Sequence, residues 1–240
     1  MDVIKAQGLS DVTAFFTTRQ GGVSLSPYDS LNLGLHVGDD EQSVLKNRQM
    51  VSDYLGLPVV YMQQTHSSAV KKVDEYTGQP VDADGIITTQ KDFALAVMTA
   101  DCLPLLLASE DGAVVGAVHC GWRGIYGGII HNAIALMRQI SKVPVRAVMG
   151  PAIGPKSFVV GEELFSSFTK KDTEHALAFS PSGNNKYLCD IYVLCRQCLQ
   201  RAGVMEVSGG EHDTYDESEL FFSYRRDHET GRMAGIICRK

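Results

Sequence analysis

Phe93-Ala94-Leu95-Ala96-Val97-Met98-Thr99-Ala100-Asp101-Cys102-Leu103-Pro104-Leu105-Leu106-Leu107-Ala108 is the strongest apolar stretch of the chain, and Asp101 and Pro104 break it. Its two pieces, Phe93–Thr99 and Leu103–Ala108, are apolar and of strand length. A third such piece, Ala113–His119, follows Asp111-Gly112, a dipeptide suited to a hairpin turn. Cys102 then lies between two strands and His119 at the end of a third, where a scaffold presents side chains to a cleft. No window, this one included, reaches the ~18 apolar residues of a membrane span.

On either side the pattern becomes mixed. Thr17-Thr18-Arg19-Gln20-Gly21-Gly22-Val23-Ser24 reads as a turn or bulge between strands, and Ser30-Leu31-Asn32-Leu33-Gly34 as loop. Asp39 or Asp40 caps an expected helix through Val44, Val51 and Leu55 that stops at Gly56. After Gly124, residues Ile129, Ile130, Ala133, Ile134, Met137 and Ile140 form one helical face. Val145–Met149 reads as a strand feeding the stiff turn Gly150–Pro155. A helix from about Ile191 to Ala202 takes Asp190 as N-cap and ends at Gly203. Phe221–Arg226 and Met233–Ile237 read as a hairpin across Asp227–Gly231. Ser180–Lys186 is the only linker-like segment, and a single mobile loop explains it equally well. The expectation is one α+β domain over residues 1–240, with layered mixed sheets flanked by helices.

At 240 residues and 44% hydrophobic content, the chain can bury a core without staples. Its net charge of −6 argues against nucleic-acid binding, since no cationic excess replaces phosphate counterions. Met1 to Phe16 has no charged start followed by a long apolar run, so a cytoplasmic location is expected. The six cysteines are then thiols or ligands rather than disulfides. Cys195-x-x-Cys198 falls on the buried stripe of the 191–202 helix and reads as packing. Cys120, next to His119 in a strand, is expected to point the opposite way.

His66, Cys102 and His119 stand apart. Two imidazoles and a thiol are the ligands that borderline-soft metals prefer, and three of them leave a fourth position open. The same atoms fit a second chemistry, with Cys102 as nucleophile and a histidine as its base. Arg123, beside Trp122 at a helix entry, suits an anion such as phosphate or carboxylate. His36 lies in a loop near these residues. No H-E-x-x-H, H-x-E with P-C-x-x-C, G-x-S-x-G, Walker A or G-x-G-x-x-G motif occurs.

Six segments together resemble the bacterial YfiH/YlmD family, also called laccase-domain or polyphenol-oxidase-like proteins. They are Thr18-Arg19-x-Gly21-Gly22-Val23-Ser24, Ser30–Gly34, Thr99–Pro104, His119-x-Gly121-Trp122-Arg123-Gly124, Gly150–Pro155 and Phe221–Asp227, in order over nearly the whole chain. The resemblance implies a cysteine-hydrolase-like fold and a metal site on His66, Cys102 and His119, usually zinc and sometimes copper. It also implies purine nucleoside chemistry, namely phosphorolysis of adenosine, inosine and methylthioadenosine, and adenosine deamination. Phenol oxidation and editing of peptidoglycan precursors are further activities attached to the family. Two positions depart from the pattern: Cys120 replaces a common Ala, and Asp213-Thr214-Tyr215 replaces Cys-Thr-Tyr.

On this reading zinc, or copper, sits on His66, Cys102 and His119, and phosphate is the co-substrate. Arg123, Arg19 or Arg225 holds the phosphate. Asp101 orients a metal ligand or moves a proton, and Asn32, Gln64 and Asp84 bond the sugar or base. A cysteine amidase built on Cys102 and His119 is the main alternative. A copper phenol oxidase fits less well, because the seven histidines include no paired His-x-His. A non-catalytic small-molecule binder is a third alternative, and a monomer or small homo-oligomer suits the acidic composition.

Overall fold

The structure is a computed structural model that describes residues 1–9 and 12–240. The long apolar run splits at its polar break and serves two different sheets. Ala94–Thr99 joins a five-stranded sheet with Val3–Lys5, Val12–Thr17, Met233–Arg239 and Val59–Val60. Leu103–Ser109 joins a six-stranded sheet with Glu206–Gly209, Val145–Met149, Val115–Cys120, Gly85–Thr88 and Val70–Lys72. The chain passes from one sheet to the other through Ala100, Asp101 and Cys102.

The sheets pack face to face. Phe16, Leu95, Val97 and Ile237 of one meet Ile86, Leu106, Val115, Ala117 and Val148 of the other. The second face of the six-stranded sheet presents Leu103, Leu105, Leu107, Val118 and Cys120 to the helices Ile129–Ile140 and Ile191–Arg201. The second face of the five-stranded sheet packs Ala94, Ala96 and Ile236 with Val51 of the helix Glu41–Leu55. The layers therefore run helix, sheet, sheet, helices, which is the expected α+β class. Both faces of the central strands are covered. This explains why they read as continuous apolar runs although their pairing is largely antiparallel.

Local signals set most element ends. Asp40 accepts the Ser43 N–H at 2.8 Å and starts the first helix, and Gly56 ends it in left-handed backbone. Asp190 accepts from Tyr192 and Val193. Asp111-Gly112 turns the hairpin that pairs Val115 with Ala108. The helix expected after Gly124 begins earlier, as Trp122–Gly127, and breaks at Gly128 before Ile129–Ile140 resumes.

Three expectations are corrected. Phe221–Arg226 makes no hairpin with the last strand, because Tyr224–Asp227 is a short helix capped by Ser223. Met233–Arg239 instead lies between Val12–Thr17 and Ala94–Thr99, where both of its edges find partners. Ser180–Lys186 is no linker; it turns a hairpin between Phe179–Pro181 and Lys186–Cys189. Gly21-Gly22 follows a strand but leads into a long loop, and no strand comes before the helix at Glu41. Among the described residues, no helix is long and apolar enough to cross a membrane.

Candidate metal and nucleoside site

Asp84 organises the centre. It is fully buried, and its carboxylate accepts the backbone N–H groups of Thr65 (3.1 Å), His66 (2.9 Å) and Ser67 (2.7 Å). The Ser67 hydroxyl adds a fourth bond at 2.7 Å. Its Oδ1 also lies 2.8 Å from Nδ1 of His119. An ionised carboxylate only accepts, so His119 donates Nδ1–H, which leaves Nε2 as the atom that would ligate a metal once it is deprotonated. Burial opposes the charge on Asp84, but the bonds from His119, Ser67 and Thr65 outweigh it and hold the carboxyl well below the usual range.

The donor atoms of His66, Cys102 and His119 all lie within 4.8 Å of one another. Cys102 Sγ is 3.8 Å from His66 Nε2, and the two imidazole centroids are 4.8 Å apart. In a tetrahedral zinc site, sulfur and nitrogen ligands sit about 3.5 Å apart, so this donor set fits a single borderline-soft ion. His119 is buried, Cys102 half-buried and His66 exposed, which leaves one side open. Burial raises the Cys102 thiol, but His119 and His66 more than offset this and bring it down to about 6. Burial likewise lowers His119, while Cys102 and Asp84 lift it to about 9. The pair thus favours a thiolate, the form that binds metal or attacks carbon.

Backbone constraints bring the donors together. His66 and Asp101 both have left-handed backbone, with φ of 62° and 90°. Such strain persists only where neighbours over-determine it. Asp84 pins the first. Asp101 is held by Thr214 Oγ1 (2.7 Å), the Arg225 N–H (2.6 Å) and the Ile153 N–H, which bonds its carbonyl at 2.9 Å. Gly121 lies against the donors, and a β-carbon there would stand 3.0 Å from Cys102 Sγ and 3.2 Å from His66 Cδ2.

The open side faces a cavity of about 600 Å³. Trp122, Ile153, Phe158 and Ile191 line it and belong to, or pack on, the large core under the six-stranded sheet. Arg123, Arg225 and Arg232 line it as well, with His36, Gln64 and Tyr224. Asp101 is its only acidic lining residue among the described residues, and both of its carboxylate oxygens are engaged.

The expected site residues divide accordingly. His66, Cys102, His119, Asp101, Arg123, Gln64 and Arg225 meet around one cavity. Gln64 is turned to its neighbour, donating to the Met98 carbonyl and accepting the Met98 N–H, both at 2.8 Å. Asp84 is fully buried behind the donor cluster and does not line the cavity. Asn32 is fully buried and bonds Gly34, Asp39 and the Arg232 N–H. Arg19 is spent on Asp29 and the Ser218 carbonyl and stacks over Phe222. Asp84, and not Asp101, touches a histidine of the donor cluster. Cys120 faces the core cluster that holds Cys195 and Cys198, as the strand alternation requires. Asp213 accepts from Gly154, Ser157 and Tyr215 and so ties down the 150–155 turn. Phe158 and Arg232 escaped sequence reasoning because neither sits in a patterned segment.

The family model described as "Multi-copper polyphenol oxidoreductase laccase" matches residues 13–240. The chain belongs to this family. It is 43% identical over 231 residues to a protein named purine nucleoside phosphorylase from Haemophilus influenzae, covering 95% of this chain and 94% of that one. It is 44% identical to purine nucleoside phosphorylase YfiH of Escherichia coli, covering 94% and 93%. Among solved structures, Neisseria meningitidis NMB0706 superposes with a TM-score of 0.93 at 44% identity, with all of both chains covered. YlmD from Geobacillus stearothermophilus gives 0.91 at 32% identity, covering 98% and 94%.

Proposed function

We propose that this chain is a zinc-dependent purine nucleoside phosphorylase acting on adenosine, inosine and methylthioadenosine. One observation carries the reading: the three-donor cluster opens onto a cavity with an apolar wall and three arginines. A purine fits against Trp122, Phe158, Ile153 and Ile191. The arginines supply fixed donors for a phosphate that approaches C1′ of the ribose. His66, Cys102 and His119 would hold the ion, with Asp84 fixing the His119 tautomer. A bound zinc supplies positive charge in a shielded site, a Lewis-acid role. In the reaction the C1′–N9 bond breaks, a phosphate oxygen bonds C1′, and the purine leaves with a proton. Relatives that carry the phosphorylase name support the same reading.

Adenosine deamination to inosine is the finer second activity. It calls for a carboxyl that shuttles protons, and Asp101, the one carboxylate lining the cavity among the described residues, is already bonded twice. Phosphorolysis is therefore the main reaction. A cysteine amidase is the second reading, favoured by the order Asp84–His119–Cys102 and the thiol at about 6. The deciding experiment follows nucleosides by LC–MS on zinc-loaded protein, with and without phosphate, beside a His66→Ala/His119→Ala variant. Adenine and ribose 1-phosphate formed only with phosphate, and lost in the variant, support the phosphorylase. No nucleoside turnover, together with iodoacetamide-sensitive hydrolysis of an amide substrate, would replace it with the thiol reading.

A further inference from the structure

Arg232 differs from the other cavity arginines. Arg123 and Arg225 are exposed, whereas Arg232 is half-buried. Its Nη1 donates to the carbonyls of Thr230 and Gly231, both at 2.9 Å. Its Nε and Nη2 make no hydrogen bond among the described residues, and no carboxylate pairs with the guanidinium. Its nearest aromatic partner is the Tyr224 ring, 5.8 Å away. Cys102 and Asp101 act on it across the cavity but neither bonds it, so this half-buried cation is only partly compensated, and an anion in the cavity would relieve that cost. Burial accordingly pushes the Arg232 guanidinium below its usual range.

The mount of this side chain is equally specific. Asn32 Oδ1 accepts the Arg232 N–H at 2.9 Å, and the Arg232 carbonyl accepts from Leu33 at 3.1 Å. The Gly34 backbone lies against the arginine stem, where a β-carbon would come within 2.9 Å of Arg232 Cγ. Ser30–Gly34 therefore has a job that its loop-like sequence does not reveal: it sets the position of a distant arginine.

We infer that Arg232 is the principal anchor of the phosphate co-substrate, and that Asn32 and Gly34 are positioning residues that aim it. This rests on the phosphorylase reading for the identity of the anion. The shared chemistry is a tetrahedral phosphoryl group, whether free phosphate or the ribose 1-phosphate product. Arg123, stacked on Trp122, and Arg225, bonded to the Val159 carbonyl, are more exposed, and solvent screening makes them contribute less at the same distance.

Trp122 makes this testable without turnover. It is the only tryptophan of the chain and lines the cavity, so its emission reports the site. Phosphate and ribose 1-phosphate are titrated separately at constant ionic strength, with equilibrium dialysis of phosphate in parallel. Both should saturate on wild type. Arg232→Met should weaken them about tenfold or more, as loss of a charged hydrogen-bonding partner does. Gly34→Ala keeps the charge but displaces its stem, and should raise phosphate KM several-fold with nucleoside KM unchanged. Unaltered circular dichroism and zinc content would show that both variants fold. The inference is overturned if Arg232→Met binds phosphate like wild type, if Arg123→Met or Arg225→Met alone abolishes binding, or if wild type binds no phosphate by either method. Saturable, Arg232-dependent binding without phosphorolysis would sink the activity and leave the subsite standing.

Discussion

Gly121 shows how much one missing side chain decides. Its backbone, at φ −69° and ψ 156°, is open to any residue, yet a β-carbon would crowd Cys102 Sγ and His66 Cδ2. Gly121→Ala should therefore leave the apo fold intact and lower zinc affinity, by tenfold or more if the ligands are displaced as supporting contacts usually permit. Competition with a chromophoric chelator would read this, and wild-type affinity would show that the donors have room to give. Asp84 acts from behind. Asn in its place offers a single acceptor oxygen to His119 and three backbone N–H groups. Asp84→Asn should cost about 10–100-fold in metal affinity, measured as zinc retained after dialysis. Full retention would mean that the 65–67 loop and His119 hold their places without the carboxylate. The histidines and the thiol were legible in the sequence as ligand types in unusual settings. Asp84 was legible only as a candidate partner of the sugar or base, because its place is set by five hydrogen bonds from residues 17–19 positions away and one from a strand 35 positions on.

Elements were read well wherever a local device sets them. Asp40, Asp190, Gly56 and Asp111-Gly112 each act through bonds or dihedrals within a few residues, and each performs as read. The C-terminal segment departs from its local pattern for a related reason. Met233–Arg239 is apolar and pairs with two strands from far along the chain, and nothing local forbade a hairpin with Phe221–Arg226. Gly128 supplies a prediction at this scale. It holds left-handed backbone at φ 90° between two helices, with open space around its α-carbon. Gly128→Ala should destabilise the protein by about 1–2 kcal/mol, the cost of that backbone for a residue with a β-carbon. Urea unfolding measures it. No change in midpoint would show that the two helices can fuse into one, which would also re-aim Trp122 and Arg123.

At the scale of the whole molecule, the candidate centre is a seam. His66 comes from a loop, Cys102 from the crossing between sheets, and His119 from a central strand. Their donors converge only when both sheets are assembled, so a bound ion favours the native state over the unfolded chain. Binding at a hundredfold excess over Kd adds about 2.7 kcal/mol by mass action. Chelator treatment of zinc-loaded protein should therefore lower Tm by several degrees in calorimetry and leave far-UV circular dichroism unchanged. An identical Tm with and without chelator would exclude a tight ion at these residues.

Taken alone, the sequence determined the element types, most of their caps, the α+β class, the three ligand candidates and the family resemblance. These rest on periodicity, turn chemistry and short motifs, all of which act over a few residues. The tertiary structure decided that the 93–108 run feeds two sheets, that Asp84 is buried against His119 and the 65–67 loop, and that Arg19 and Asn32 are bonded within the framework. It also brought Arg232, Phe158 and Ile191 to the same cavity as residues 66, 102 and 119. The physical reason is that a side chain's role depends on what it is packed against. Contacts between residues 100 or more apart are fixed by the stacking of layers, and no local pattern carries that information.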